Sequence, residues 1–123
     1  MTGVPSPHQA AAAAAEEVRS LGELTARPGC YPYPIDAHHT LGALAGMLEQ
    51  LPLTLHQTAA AINAMPAEHL AVLDDPPIPS RIQAAVAAEL GHAIAALEQA
   101  ATHLRTAQHT AAELLYTGPT PGS

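Results

Sequence analysis

Residues 41–65 read LGALAGMLEQLPLTLHQTAAAINAM, and their spacing decides the fold. Leu41, Leu44, Leu48, Leu51, Leu55, Ile62 and Met65 recur at alternating steps of three and four, with only Thr58 breaking the series. This is the heptad seam of a helix that lies along another helix. Pro52 falls inside the series without disturbing its phase. The spacing therefore predicts one helix over 37–65, capped by Asp36 and kinked near Leu48, where the proline ring meets the carbonyl four residues earlier.

A second seam follows after a linker of about fifteen residues. Ile82, Val86, Leu90, Ile94, Leu97, Ala101, Leu104, Gln108, Ala111 and Leu115 form one stripe, which predicts a helix over 81–116 opened by Ser80-Arg81-Ile82-Gln83 and closed at Gly118-Pro119. At 1.5 Å per residue the two helices are ~44 and ~54 Å long. They match well enough to zip as an antiparallel hairpin. Ser6-Pro7-His8-Gln9 is a further N-terminal signature and predicts a helix over 7–25. Pro66-Ala67-Glu68 opens a short helix over 67–73 that stops at Asp74-Asp75. The segment from Pro28 to Pro34, with three prolines, reads as an extended connector. The expected fold is all-α, a small helical bundle in a single domain over 7–116, with disordered ends at 1–6 and 117–123.

Composition supports this reading. The chain has 28 alanines against 24 Leu, Ile and Val, and no Phe, Trp or Lys. Alanine favours helix, and the β-branched and aromatic residues that strands prefer are too few for a sheet. Four arginines (Arg19, Arg27, Arg81, Arg105) stand against eleven acids, a net charge of −7. That balance excludes a basic stripe for nucleic acid and a helix lying on an anionic membrane. Residues 50–67 are free of charge but contain Pro52, His56, Gln57 and Asn63, which argues against a membrane span. The N-terminus lacks a secretory pattern. Cys30 is the single cysteine and excludes an internal disulfide, so a reducing cytoplasm is the expected compartment.

Small residues mark a second face on each long helix. Gly42, Gly46, Ala60 and Ala64 are expected on the outer face of one, and Ala85, Ala88 and Ala96 on that of the other. Small residues four apart allow close approach of another helix. The expected neighbours are the N-terminal helix, through Val18, Leu21 and Leu24, and a second copy of the chain. Tyr31 and Tyr33 on the connector are candidates for a recognition surface, since rigid tyrosine and proline lose little entropy on binding.

Eight histidines invite a metal reading. Glu89-Leu-Gly-His92 is a Glu-x-x-His pair on a helix, and Glu49 on the partner helix offers a third ligand. These three residues resemble those of the encapsulated ferritins, where two antiparallel helices carry one such motif plus an earlier Glu and a dimer completes the site. The resemblance implies a metal-binding, ferroxidase-like dimer with Glu49, Glu89 and His92 as ligands. Helical geometry turns Glu89 about 80° and His92 about 140° from the seam centre, which points them outward. Arg105, His109 and Glu113 read as a solvent-facing row. Protonating all eight histidines takes the net charge from −7 to +1 (−7 plus 8), so a pH-dependent change of oligomeric state is a further expectation.

A short alanine-rich hairpin also looks like the small secreted substrates of type VII secretion, which implies a secreted hairpin protein. Those carry a Trp-Xaa-Gly turn and a Tyr-x-x-x-Asp/Glu signal, whereas Asp74 to Ser80 has no Trp and Tyr116 is followed four residues later by Thr120. The residues point most directly to a non-enzymatic, self-associating helical protein without a cofactor. It would act as an adaptor, regulator or assembly component, partnered by its own copies and by another helical protein.

Overall fold

The computed structural model describes residues 3–73 and 76–119. Three α-helices appear in order, α1 (Pro7–Thr25), α2 (Pro34–Asn63) and α3 (Pro79–Ala111), and the described residues contain no strand. None of the helices is long and apolar enough to cross a membrane. The chain divides into two compact units, Met1–Tyr33 with Gly118–Ser123, and Pro34–Thr117. Their boundary falls at Tyr33-Pro34, the end of the proline-rich connector.

In the first unit α1 has the predicted bounds because its ends are chemically specified. The Ser6 hydroxyl accepts from the Gln9 amide, and the Gln9 side chain accepts from the Ser6 amide at 2.9 Å, so two backbone donors that no helix turn can serve are both satisfied. Arg19 bridges Glu16 at 2.9 Å and Glu23 at 2.8 Å along the surface. No residue of α1 is buried. Gly29 then takes a φ of +69°, a left-handed conformation that only glycine adopts without strain.

In the second unit α2 and α3 pack on one another as the predicted antiparallel hairpin. Their ends differ from the expectation for local reasons. Pro34, whose φ is already helical, starts α2 and leaves Asp36 within the first turn rather than as its cap. At the other end Met65 precedes Pro66, which disfavours helical backbone, so α2 stops at Asn63. The predicted helix 67–73 is only a 3-10 turn, Ala67–His69, after which Leu70 is extended. Its expected stop, Asp74-Asp75, lies outside the described residues. So do Met1, Thr2 and residues 120–123 of the expected disordered ends. Pro79 starts α3, and Ser80 lies inside the helix without capping it. Beyond Ala111 the last turn tightens to the three-residue bonds Glu113 to Thr110 and Leu114 to Ala111, which ends α3 five residues before the expected 116.

The seam of α3 follows the predicted stripe from Leu90 to Ala111, with Ile94 and Ala101 buried, but Ile82 is 40% exposed and Leu115 lies past the helix. The seam of α2 is rotated. Leu41, Leu44, Leu48, Leu55 and Ile62 are at least half-buried as expected, but His38, Ala45, Pro52 and Ala59 join them rather than Leu51, Thr58 and Met65. Ala45 is fully buried while Leu51 and Met65 are exposed. Thr58, the break in the leucine series, is exposed for the same reason. Alanine at the contact lets the two backbones approach closely, and the larger side chains move to the flank.

Candidate interaction surface

The rotation gives the hairpin two unlike sides. On one side polar groups tie the helices together. Arg105 of α3 donates from Nη2 to Glu49 Oε1 at 2.6 Å and from Nε to Glu49 Oε2 at 2.9 Å, a two-pronged pair. Its Nη1 donates to Gln108 Oε1 at 2.9 Å. The backbone carbonyl of Gln108 in turn accepts from Nδ1 of His38 at 2.9 Å. Hydrogen bonding to the guanidinium, and then charge attraction, hold the Glu49 carboxyl below the ordinary carboxylate value, and the same bonds raise Arg105. An open groove of about 510 Å³ lies along this side, between Pro52, Glu98 and Arg105. Pro52 has no N–H, so the Leu48 carbonyl that borders this groove has no donor four residues on.

The ends of the hairpin are tied reciprocally. Gln83, expected to cap its own helix, instead donates from Nε2 to the carbonyl of Ile62 at 2.7 Å, which also accepts from the Met65 amide, and to that of Met65, just past α2, at 3.1 Å. His38 serves the end of α3 in the same way. Each helix thus supplies, near its beginning, the donor that closes the end of the other.

The opposite side is apolar. One turn round from the seam, α2 presents Leu44, Met47 and Leu51, of which Met47 is 40% and Leu51 37% exposed. Leu44 on the same helix is half-buried. The same side continues to an apolar hollow of about 230 Å³ at the closed end, bordered by Met65, Leu70, Ile82 and Val86.

The residues singled out from sequence are distributed unevenly over these sides. Gly42 and Gly46, expected to face outward, face α3. A Cβ at Gly42 would stand 2.5 Å from Nε2 of Gln108, and one at Gly46 would meet Nη2 of Arg105 at 4.0 Å. They leave room for the polar side chains rather than for another molecule. Ala60, Ala64, Ala85, Ala88 and Ala96 are exposed. Tyr31 is exposed and Tyr33 half-buried, both in the first unit. Arg105 of the expected surface row turns instead to α2, while His109 Nδ1 bonds the Arg105 carbonyl at 2.8 Å.

The three metal candidates are not brought together. Glu49 is held by Arg105, while Glu89 and His92, 3.9 Å apart, are each about four-fifths exposed. Among the described residues no three His, Cys, Asp or Glu side chains converge to hold an ion. Sequence reading missed the Glu49–Arg105 pair and the His38 and Gln83 caps. A signal for the pair was present, since Glu49 and Arg105 are opposite charges on the two long helices expected to pack as a hairpin. Comparison with protein-family models, with curated proteins and with solved structures finds no match to the chain.

Proposed function

We propose that this chain is a non-enzymatic, self-associating helical protein that serves as an adaptor, regulator or assembly component in the cytoplasm. One observation carries the reading. The only buried residues among those described are Ala45, Ile94 and Ala101, so not one leucine of the hairpin is buried within the single chain. A leucine seam is stable when covered, and each fully covered leucine contributes about 1.5–3 kcal/mol. The uncharged stripe of Leu44, Met47 and Leu51 gives that cover a place to form. Another helix, from a further copy or from a different helical protein, supplies it.

Sedimentation equilibrium over a dilution series tests the proposal. The expected mass is a multiple of 12.6 kDa that falls on dilution. A single-chain mass at every concentration overturns self-association. Elemental analysis of the same sample tests the absence of a cofactor, because stoichiometric iron or zinc contradicts it.

A further inference from the structure

We infer that the groove on the polar side of the hairpin binds a small aliphatic amine as its ammonium ion. The donors that line this groove are committed within the chain. Each nitrogen of Arg105 donates to Glu49 or to Gln108. The Thr102 and Thr106 hydroxyls donate to the carbonyls of Glu98 and Thr102, both at 3.1 Å. The acceptors are not committed. His109 gives its Nδ1 proton to the Arg105 carbonyl at 2.8 Å, which leaves Nε2 of the neutral ring as an acceptor. The Leu48 carbonyl has no amide four residues on, because Pro52 stands there. Among the described residues the Glu98 carboxylate has neither an ion-pair nor a hydrogen-bond partner. A groove that offers acceptors selects a ligand that brings donors, and an ammonium group is all donor.

Charge and size agree with such a ligand. Glu49 is matched by Arg105, so Glu98 leaves the groove with one negative charge in excess. A chain at −7 also draws cations towards it over longer distances. Leu48, Pro52 and Ala101 line the same groove and give an alkyl chain its cover. At about 510 Å³ the groove falls within the ~300–1,000 Å³ of small-ligand sites. The chain contains no lysine, so no lysine side chain of its own or of a second copy supplies the ammonium. The ligand is therefore foreign to the chain.

Titration of the isotope-labelled full chain with pentylamine, followed by NMR amide shifts, tests the site, with pentanol and pentanoate as controls. Pentylamine is expected to saturate and to move the amides around Leu48 and Glu98. The alcohol and the carboxylate are expected to bind at least ~10-fold more weakly, for want of charge-assisted hydrogen bonds. Glu98→Gln is expected to weaken pentylamine ~10-fold or more, whereas Glu89→Gln, which removes the same charge from α3 outside the groove, leaves it unchanged. Pro52→Ala returns an amide to the Leu48 carbonyl without altering charge and is expected to weaken binding ~3-fold to 10-fold. Helical circular dichroism is expected to persist in all three variants, since both glutamates are exposed and alanine favours helix. Failure of pentylamine to saturate, or equal binding of pentanol, overturns the ammonium site. Equal weakening by Glu89→Gln and Glu98→Gln reduces the effect to overall charge and overturns it as well. A Pro52→Ala chain that binds as the unaltered one removes the Leu48 carbonyl and with it this placing of the ligand. Tighter binding of Nα-acetyl-lysine methylamide than of pentylamine assigns the groove to a lysine of another protein and overturns the free amine. None of these outcomes bears on the mass read by sedimentation, so self-association is judged separately.

Discussion

Along one side of the hairpin Glu49, Arg105, Gln108 and His38 link α2 to α3 through hydrogen bonds, whereas along the other Leu44 is half-buried and Met47 and Leu51 remain partly open. On the polar side Arg105 and His38 both reach acceptors, although Ile35 and Leu53 of α2 are also exposed. The leucine side has no such links, and its apolar area contributes only when something covers it. A hairpin with two polar sides has no reason to associate, and one with two leucine sides has no single way to do so. On the proposed self-association, the difference between the sides would favour one face for a partner.

Ile94 and Leu51 separate what is buried within the chain from what the proposed association would cover. Ile94→Ala removes a buried side chain from the centre of the seam and is expected to cost about 2–5 kcal/mol, the same at every protein concentration. Leu51→Ala is expected to cost little in dilute protein and progressively more as copies associate. Chemical denaturation at two widely separated concentrations checks both. A concentration-independent cost at Leu51 removes the distinction between the sides.

Substitutions on the polar side probe how its room is made. Pro52 interrupts the hydrogen-bond ladder of α2, and proline inside a helix is about 3 kcal/mol less favourable than alanine. Pro52→Ala is expected to raise stability by about 1–3 kcal/mol, because the Leu48 carbonyl regains its donor while some seam packing is lost. Gly46→Ala is expected to gain up to ~1 kcal/mol, since its Cβ would lie at ordinary contact distance from Arg105. Gly42→Ala gains less, because Gln108 has to move away from its link to Arg105. Thermal unfolding ranks the three. Equal gains at the two glycines contradict the packing of Gln108 against Gly42.

The all-α hairpin was legible because both long segments carry a sustained periodicity, interrupted in the first only at Thr58, and three proline signals divide the chain. The exact face was not. Leu44 and Leu51 fit a heptad as well as Ala45 and Ala59 do, and hydrophobicity alone favours leucine. Close approach of two backbones favours alanine, and that preference depends on the facing helix, where Ala101 is buried in turn. The error at Gly42 and Gly46 has the same origin, since a rotation of the seam moves them from outside to inside. The caps by Gln83 and His38 were illegible for a different reason. Both act on carbonyls of the other helix, 21 and 70 residues away in sequence, and no local pattern records such a partner. The resemblance to a metal-binding dimer rested on the spacing of Glu89 and His92, which is a property of any helix, and on Glu49, whose nearer cation is Arg105.

The smallest expected effect isolates the bond that defines the polar side. Hydrogen bonds from Arg105 lower the Glu49 carboxyl below its ordinary value of 4.5 in the folded chain. A depressed folded value means the unfolded state binds the proton more readily. The stabilisation is therefore fully present above the ordinary value and is lost as the pH falls through the folded one. Both side chains are partly exposed, 39% for Arg105 and 45% for Glu49, so solvent and salt screen the pair and the contribution is modest. Glu49→Gln is expected to lower stability slightly at neutral pH, to match the unaltered chain in acid, and so to flatten the acid limb of the stability curve. Glu98→Gln, on the same side without an ion pair, serves as the reference. An acid limb identical in all three proteins shows that the pair does not tie the two helices. A Glu49→Gln chain that also dissociates into single copies assigns the partner to the polar side and reverses the comparison.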